Sequence, residues 1–145
     1  MSLHGSYDDE NIFAKILRGE AQAARVYEDE HVLAIMDLFP QSEGHMLVIP
    51  KARARNLLDL PADAAARAIE RVQTLTRAVE AVLKPDGVMV AQFNGAPAGQ
   101  TVFHIHFHII PRWADRNIAG HGQAGQADPD ALKALAARIA AAIEA

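Results

Sequence analysis

Residues 103 to 110 read Phe-His-Ile-His-Phe-His-Ile-Ile, so His104, His106 and His108 stand at every second position with apolar residues between them. Strict alternation with β-branched and aromatic residues is the period of a β-strand, whose successive side chains point to opposite faces. The pattern predicts a strand over 101–110 with three imidazoles on one face and the apolar set on the other. Side chains two residues apart lie roughly 7 Å from each other along a strand, close enough to act on one small ligand. Pro111 cannot donate to a ladder and is expected to end the strand. An imidazole is polar, titrates near neutral pH and needs hydrogen-bond partners once buried. A decorative outer face would mix Thr, Lys, Glu and Ser, so an all-histidine face marks a functional site.

The chain has 145 residues, enough for one domain with a sizeable core. Half of them are hydrophobic and 22% charged, as in an ordinary soluble globular protein. A net charge of −4 provides no overall basic field for nucleic-acid backbones. A small phosphorylated ligand remains compatible, because local donors can hold it. The absence of cysteine excludes disulfides and thiolate metal ligation. No apolar run approaches the roughly 20 residues that span a bilayer. The opening Met-Ser-Leu-His-Gly-Ser holds no apolar signal core, which leaves the cytoplasm as the expected compartment.

Periodicity predicts the remaining elements of a single α+β domain, an antiparallel sheet of about five strands with helices packed on it. Residues 1–9 are expected to be a flexible N-terminus. Ile12, Phe13, Ile16 and Leu17 fall at helical spacing, with Asp8, Asp9 or Asn11 as cap and Gly19 as stop. A hairpin follows over 24–38, closing on Asp37, a carboxylate that either solvates a strand end or accepts from a ligand's hydroxyls. His45 opens a short apolar strand and by itself reads as a satisfied structural histidine. Lys51, Arg53 and Arg55 read as a solvated basic loop. Pro61 opens a long helix to about Lys84, whose apolar stripe is expected to be Ile69, Val72, Leu75 or Thr76, Val79 and Val82 or Leu83. A strand over 88–93 leads into Asn94-Gly-Ala-Pro-Ala-Gly99, small residues that let backbone N–H groups approach a phosphate. Residues 114–145 comprise a Gly- and Gln-rich loop, expected to cover the site, and a final Ala-rich helix capped by Asp128-Pro129.

The row His-Ile-His-Phe-His-Ile-Ile matches the His-x-His-x-His-x-x signature of the histidine triad family of nucleotide hydrolases and transferases. The match extends into Gly99-Gln100-Thr101-Val102 and Pro111-Arg112. Upstream, Ile12-Phe-Ala-Lys-Ile-Leu-Arg-Gly-Glu20, Tyr27-Glu-Asp29 and Gly44-His-Met-Leu-Val-Ile-Pro-Lys51 resemble family segments in family order. The resemblance spans about residues 11–113, within a domain expected over 10–113.

This resemblance implies a metal-independent reaction at the α-phosphorus of a nucleoside 5′-phosphoramidate or phosphoanhydride. His106 would be the nucleophile, and a covalent nucleotidyl-histidine the intermediate. His108 would contact the phosphate or leaving group, with His104 and His45 orienting their neighbours. Gln100, Thr101, Asn94 and Gly99 would bind phosphate. Asp37 would bind the ribose, and Leu38, Ile35 and Phe13 would flank the base, by family a purine. No cofactor or metal is implied, and in the Hint-like branch the helix corresponding to the one after Pro61 joins two protomers, which suggests a homodimer. Two departures matter. Some bacterial members carry Cys-x-x-Cys for a structural zinc where this chain has Asn11-Ile-Phe-Ala14, so that site is expected to be absent. Thr101 replaces a serine and keeps its hydroxyl. The opening segment and length are similar to the phosphoramidase-type branch, whereas Gln-Thr-Val and Ile-Pro-Arg are similar to the Fhit-like branch that cleaves dinucleoside polyphosphates.

Two other classes of function fit parts of the pattern. His-x-His is also a zinc or iron ligand spacing. Three alternate strand positions are awkward for one tetrahedral ion, however, and the small-residue loop would go unexplained. A nucleotide-binding regulatory protein with incidental turnover would keep the same residues. Neither a nucleic acid nor a membrane is an expected partner.

Overall fold

The computed structural model describes residues 2–117 and 125–143. Helix α1 (Ile12–Leu17) begins where the Asn11 side chain accepts from the Ala14 N–H at 2.9 Å, satisfying one of the first-turn donors. Strands β1 (Arg25–Glu28) and β2 (Val32–Met36) form the expected hairpin. The chain continues through β3 (Met46–Pro50), α2 (Ala62–Leu83), β4 (Gly87–Ala91), a 3-10 turn at Ala96–Ala98, β5 (Phe107–Arg112) and α3 (Pro129–Ala141). The five strands form one antiparallel sheet in the order β1-β2-β3-β5-β4.

The two-residue alternation sorts the sheet into two faces. Val32, Ala34, Met36, Met46, Val48, Phe107 and Ile109 join Val72, Leu75 and Val79 of α2 and Leu132, Leu135 and Ile139 of α3 in the larger core cluster. Leu33, Ile35, Leu47 and Ile49 point the other way, against Phe13 and Ile16 of α1. His108 pairs with Leu47 across the ladder and shares this second face.

Several expectations need correction. The histidine strand begins at Phe107, not at residue 101, so His104 and His106 precede the ladder. The reason lies in β3. The next partner positions would engage Pro50, which has no N–H, and the Ile105 N–H instead donates to the Ala54 carbonyl at 3.0 Å. Nor does Pro111 end the strand, for it pairs with Val88 of β4. Its carbonyl accepts from Ser42 Oγ at 2.6 Å, on the side where the β3 ladder has already stopped at Ile109. In a strand N and C=O of one residue point the same way, so the missing N–H costs no ladder bond. Ile69 is 51% exposed, and α2 buries Ala68 and Ala78 beside Val72, Leu75 and Val79.

The N-terminal segment, expected to be flexible, is tied down by the basic loop expected to be solvated. Arg55 donates to the carbonyls of Ser2 and Ser6, Asn56 to that of Leu3, and Arg53 makes a two-bond pair with Asp9. Residues 118–124 of the stretch expected to cover the site lie outside the described residues.

Candidate active site

A cleft of about 420 Å³ opens on the second face of the sheet. Phe13 and Ile16 of α1, Ile35 of β2 and Leu47 of β3 form its apolar floor, with Asp37 and Leu38 at the end of β2. His106, His108 and Thr101 line it as well. Alternation therefore brings His106 and His108 into one cleft, their ring centroids 5.0 Å apart. The Phe13 and His106 rings stand nearly perpendicular with centroids 4.7 Å apart, and the ring of Phe93, which carries no sequence signature, lies 5.2 Å from that of His108.

The protonation of this pair follows from main-chain groups. His106 Nδ1 lies 2.7 Å from the carbonyl oxygen of His104. A carbonyl only accepts, so Nδ1 carries the proton and Nε2 the lone pair. His45 is fixed in the opposite sense, because its Nδ1 accepts from the Gln41 N–H at 3.0 Å. Its Nε2–H then donates to His108 Nδ1 at 2.9 Å, with Asp37 Oδ2 at 3.4 Å from the same nitrogen. His108 must accept on Nδ1 and so holds its own proton on Nε2. One cleft histidine is thereby set as a base or nucleophile, and its neighbour as a donor.

Asp37, 6% exposed, accepts from the Phe39 N–H at 2.8 Å through Oδ1. Side-chain atoms of Asp37, His45 and His108 lie within 4.8 Å of one another, a spacing compatible with a cation. A metal on His45 Nε2 would displace the proton aimed at His108, and Nδ1 would have to surrender its bond from Gln41. These residues fit a hydrogen-bonded chain better than a coordination shell.

His104 and His45 do not line the cleft. His45 sits behind His108 at 0% exposure. His104, 1% exposed, donates from Nε2 to the Pro50 carbonyl at 2.7 Å, and burial pulls its pKa down, keeping the ring neutral.

Of the four expected phosphate contacts, only Thr101 lines the cleft. Gln100, 3% exposed, donates to the carbonyls of Arg55 and Val102 and accepts from the Gly95 N–H, so its amide staples the loop. Asn94 Oδ1 accepts from the Leu57 N–H and from Gln92. Gly99 adopts φ +111°, with the Phe93 ring 3.6 Å from where a Cβ would stand. These three residues shape the loop that leads to Thr101. Gln126, Pro129, Leu132 and Lys133, from the start of α3, complete the far wall of the cleft. The Ala127 N–H anchors them by donating to the Leu38 carbonyl at 2.9 Å. The amphipathic stripe of α3 does not by itself say what its first turn covers.

An antiparallel sheet bearing two adjacent imidazoles of fixed, opposite protonation over an apolar cleft defines a class of histidine-based site. The family model for the HIT domain matches residues 18–115. Protein hit of Bacillus subtilis is 39% identical over 132 residues, covering 89% of this chain and 91% of the relative. The adenosine 5′-monophosphoramidase of Schizosaccharomyces pombe is 35% identical, over 92% and 98% of the two chains. The crystal structure of a Hit-like protein from Bartonella henselae superposes with a TM-score of 0.90 at 43% identity, over 95% and 99%. The chain belongs to the HIT, or histidine triad, family.

Proposed function

We propose that this protein hydrolyses a purine nucleoside 5′-phosphoramidate or phosphoanhydride at the α-phosphorus, without a metal. His106 Nε2, which carries no proton while Nδ1 donates to the His104 carbonyl, attacks phosphorus as a neutral nucleophile competent near neutral pH. The bond from phosphorus to the leaving amine or phosphate breaks as the P–N bond to His106 forms. The Nε2–H of His108 donates to the departing group or to a phosphoryl oxygen. Water then attacks the nucleotidyl-histidine, releasing the nucleoside monophosphate and restoring the imidazole. Such phosphoryl chemistry depends mainly on positioning and charge stabilisation. Asp37 accepts from the ribose hydroxyls, and Phe13, Ile35 and Leu38 sandwich the base.

The observation that carries this reading is the opposite protonation imposed on two histidines 5.0 Å apart in one cleft. The phosphoramidase named among the relatives supports the choice of leaving group. The test is release of AMP from adenosine 5′-phosphoramidate, with and without EDTA. The wild type is expected to turn over in both, and His106→Ala to lose at least about 10³-fold in kcat. Turnover that vanished with chelator, or survived in His106→Ala, would sink the mechanism.

We also propose a homodimer formed through β4. This strand ends the sheet and exposes Met89 and Val90 along an edge that no described strand covers. Light scattering should give the mass of two chains for the wild type and of one for Val90→Glu; a single-chain mass for the wild type would refute it.

A further inference from the structure

The N-terminal segment makes one contact with the histidine row that the reaction above does not use. Tyr7 Oη and His104 Nδ1 form a short hydrogen bond across 97 residues of sequence. Its direction is set from the other side of the ring. His104 Nε2 must donate to the Pro50 carbonyl, so Nδ1 accepts and the tyrosine hydroxyl donates. Burial favours this arrangement at both ends, since it raises the Tyr7 pKa and lowers that of His104. The Tyr7 ring is itself clamped. The Arg53 guanidinium lies 4.7 Å from its centroid, and Asp9 holds that guanidinium through two hydrogen bonds of 2.8 and 2.9 Å.

His104 is thus gripped at both ring nitrogens, and its own carbonyl is the acceptor for His106 Nδ1 at 2.7 Å. We propose that Tyr7 is a positioning residue: by fixing His104 it fixes the carbonyl that sets the tautomer and aim of His106. The strap does not stop at Tyr7. Six residues later the Phe13 ring packs nearly perpendicular against His106 itself. One stretch of chain therefore steadies the nucleophile twice, through a main-chain acceptor and through an aromatic wall. Without the hydroxyl, a fully buried ring nitrogen lacks its donor and the His104 ring is held from one side only. The peptide that carries the His106 acceptor then gains freedom, and small displacements of an attacking group are expensive. The inference rests on His106 being the nucleophile.

Tyr7→Phe removes one oxygen and leaves the ring beneath Arg53. With adenosine 5′-phosphoramidate the expected result is a kcat about tenfold lower at unchanged KM, a loss confined to the chemical step. Imidazole ¹⁵N spectra of the substrate-free protein should show His104 Nδ1 losing its hydrogen bond, and His106 moving from a single Nδ1–H tautomer to a mixture. In a His104→Asn background Tyr7→Phe should cause no further loss, because the two act as one unit. Unchanged kcat with unchanged His106 resonances would overturn the proposal. So would a loss of activity that tracks a lower unfolding temperature while the His106 tautomer stays pure, since Tyr7 would then be only a tether. Should the wild type fail to hydrolyse the phosphoramidate, the functional reading falls, and the spectra still decide whether Tyr7 governs the His106 tautomer.

Discussion

The two faces of the sheet are made by the same strands and differ in what covers them. One face lies under α2, whose 22 residues run about 33 Å, and under the 13 residues of α3. A five-residue strand is about 17 Å long, so these helices overreach it and seal the larger cluster. The other face receives α1, six residues and about 9 Å. That is too short to cover the strands, and the uncovered remainder of an otherwise ordinary apolar face becomes the cleft. A residue's parity along the strand thus decides its role: Phe107 and Ile109 fill the closed core, while His108 between them faces the open one.

If the faces are as independent as this suggests, damage to one should leave the other intact. Leu75→Ala, at a 1% exposed position of α2, should cost about 2–5 kcal/mol in urea unfolding while kcat per folded molecule stays at the wild-type value. A parallel fall in kcat would break the comparison.

A smaller effect is expected at Asp29, the polar fastening between the sheet and α2. Burial pushes its pKa up, but hydrogen bonds from Tyr27, Arg71 and the His31 and Val32 N–H groups outweigh that and hold it well below the usual carboxylate range. An unfolded aspartate protonates near about pH 3.9, so the stabilisation is complete above that value and is lost as the pH falls further, toward the depressed folded-state pKa. Asp29→Asn should therefore cost about 1–3 kcal/mol at neutral pH. Its deficit against the wild type should shrink steadily in acid unfolding below about pH 4. A constant deficit across pH would show that charge is not what fastens the helix.

The smallest stability effect belongs to the open face. Phe13→Leu should cost less than about 1.5 kcal/mol, yet raise KM for the nucleotide, because the ring serves the cleft more than the core. An unchanged KM would remove Phe13 from the binding wall.

Much of this architecture was legible in the chain. Asn11 before an apolar helical period, the Val-Leu-Ala-Ile and Met-Leu-Val-Ile runs, and the Pro61 and Asp128-Pro129 starts all became the elements they suggested. The spacing of His106 and His108 placed both in one cleft. Alternation, however, reports which way a side chain points and not where a ladder begins, so the displacement of His104 by Pro50 was hidden. The loop contacts of Gln100 and Asn94 were hidden for a related reason. The Gln100 amide bonds main-chain groups of residues 55, 95 and 102, and Asn94 Oδ1 accepts from the amide of residue 57, partners that leave no mark on residue identity. Tyr7 was invisible because nothing local to it signals a partner 97 residues away.

The proton placement at the cleft depends on the amide of residue 41 and on the carbonyls of residues 50 and 104, groups that nearly every amino acid supplies. At position 41 one residue type cannot supply that group. Proline deletes the amide hydrogen, and with it the instruction that His45 passes to His108. The reactive state of the histidines is thus inherited through the path of the backbone, and it can persist through long sequence drift at the very positions that impose it.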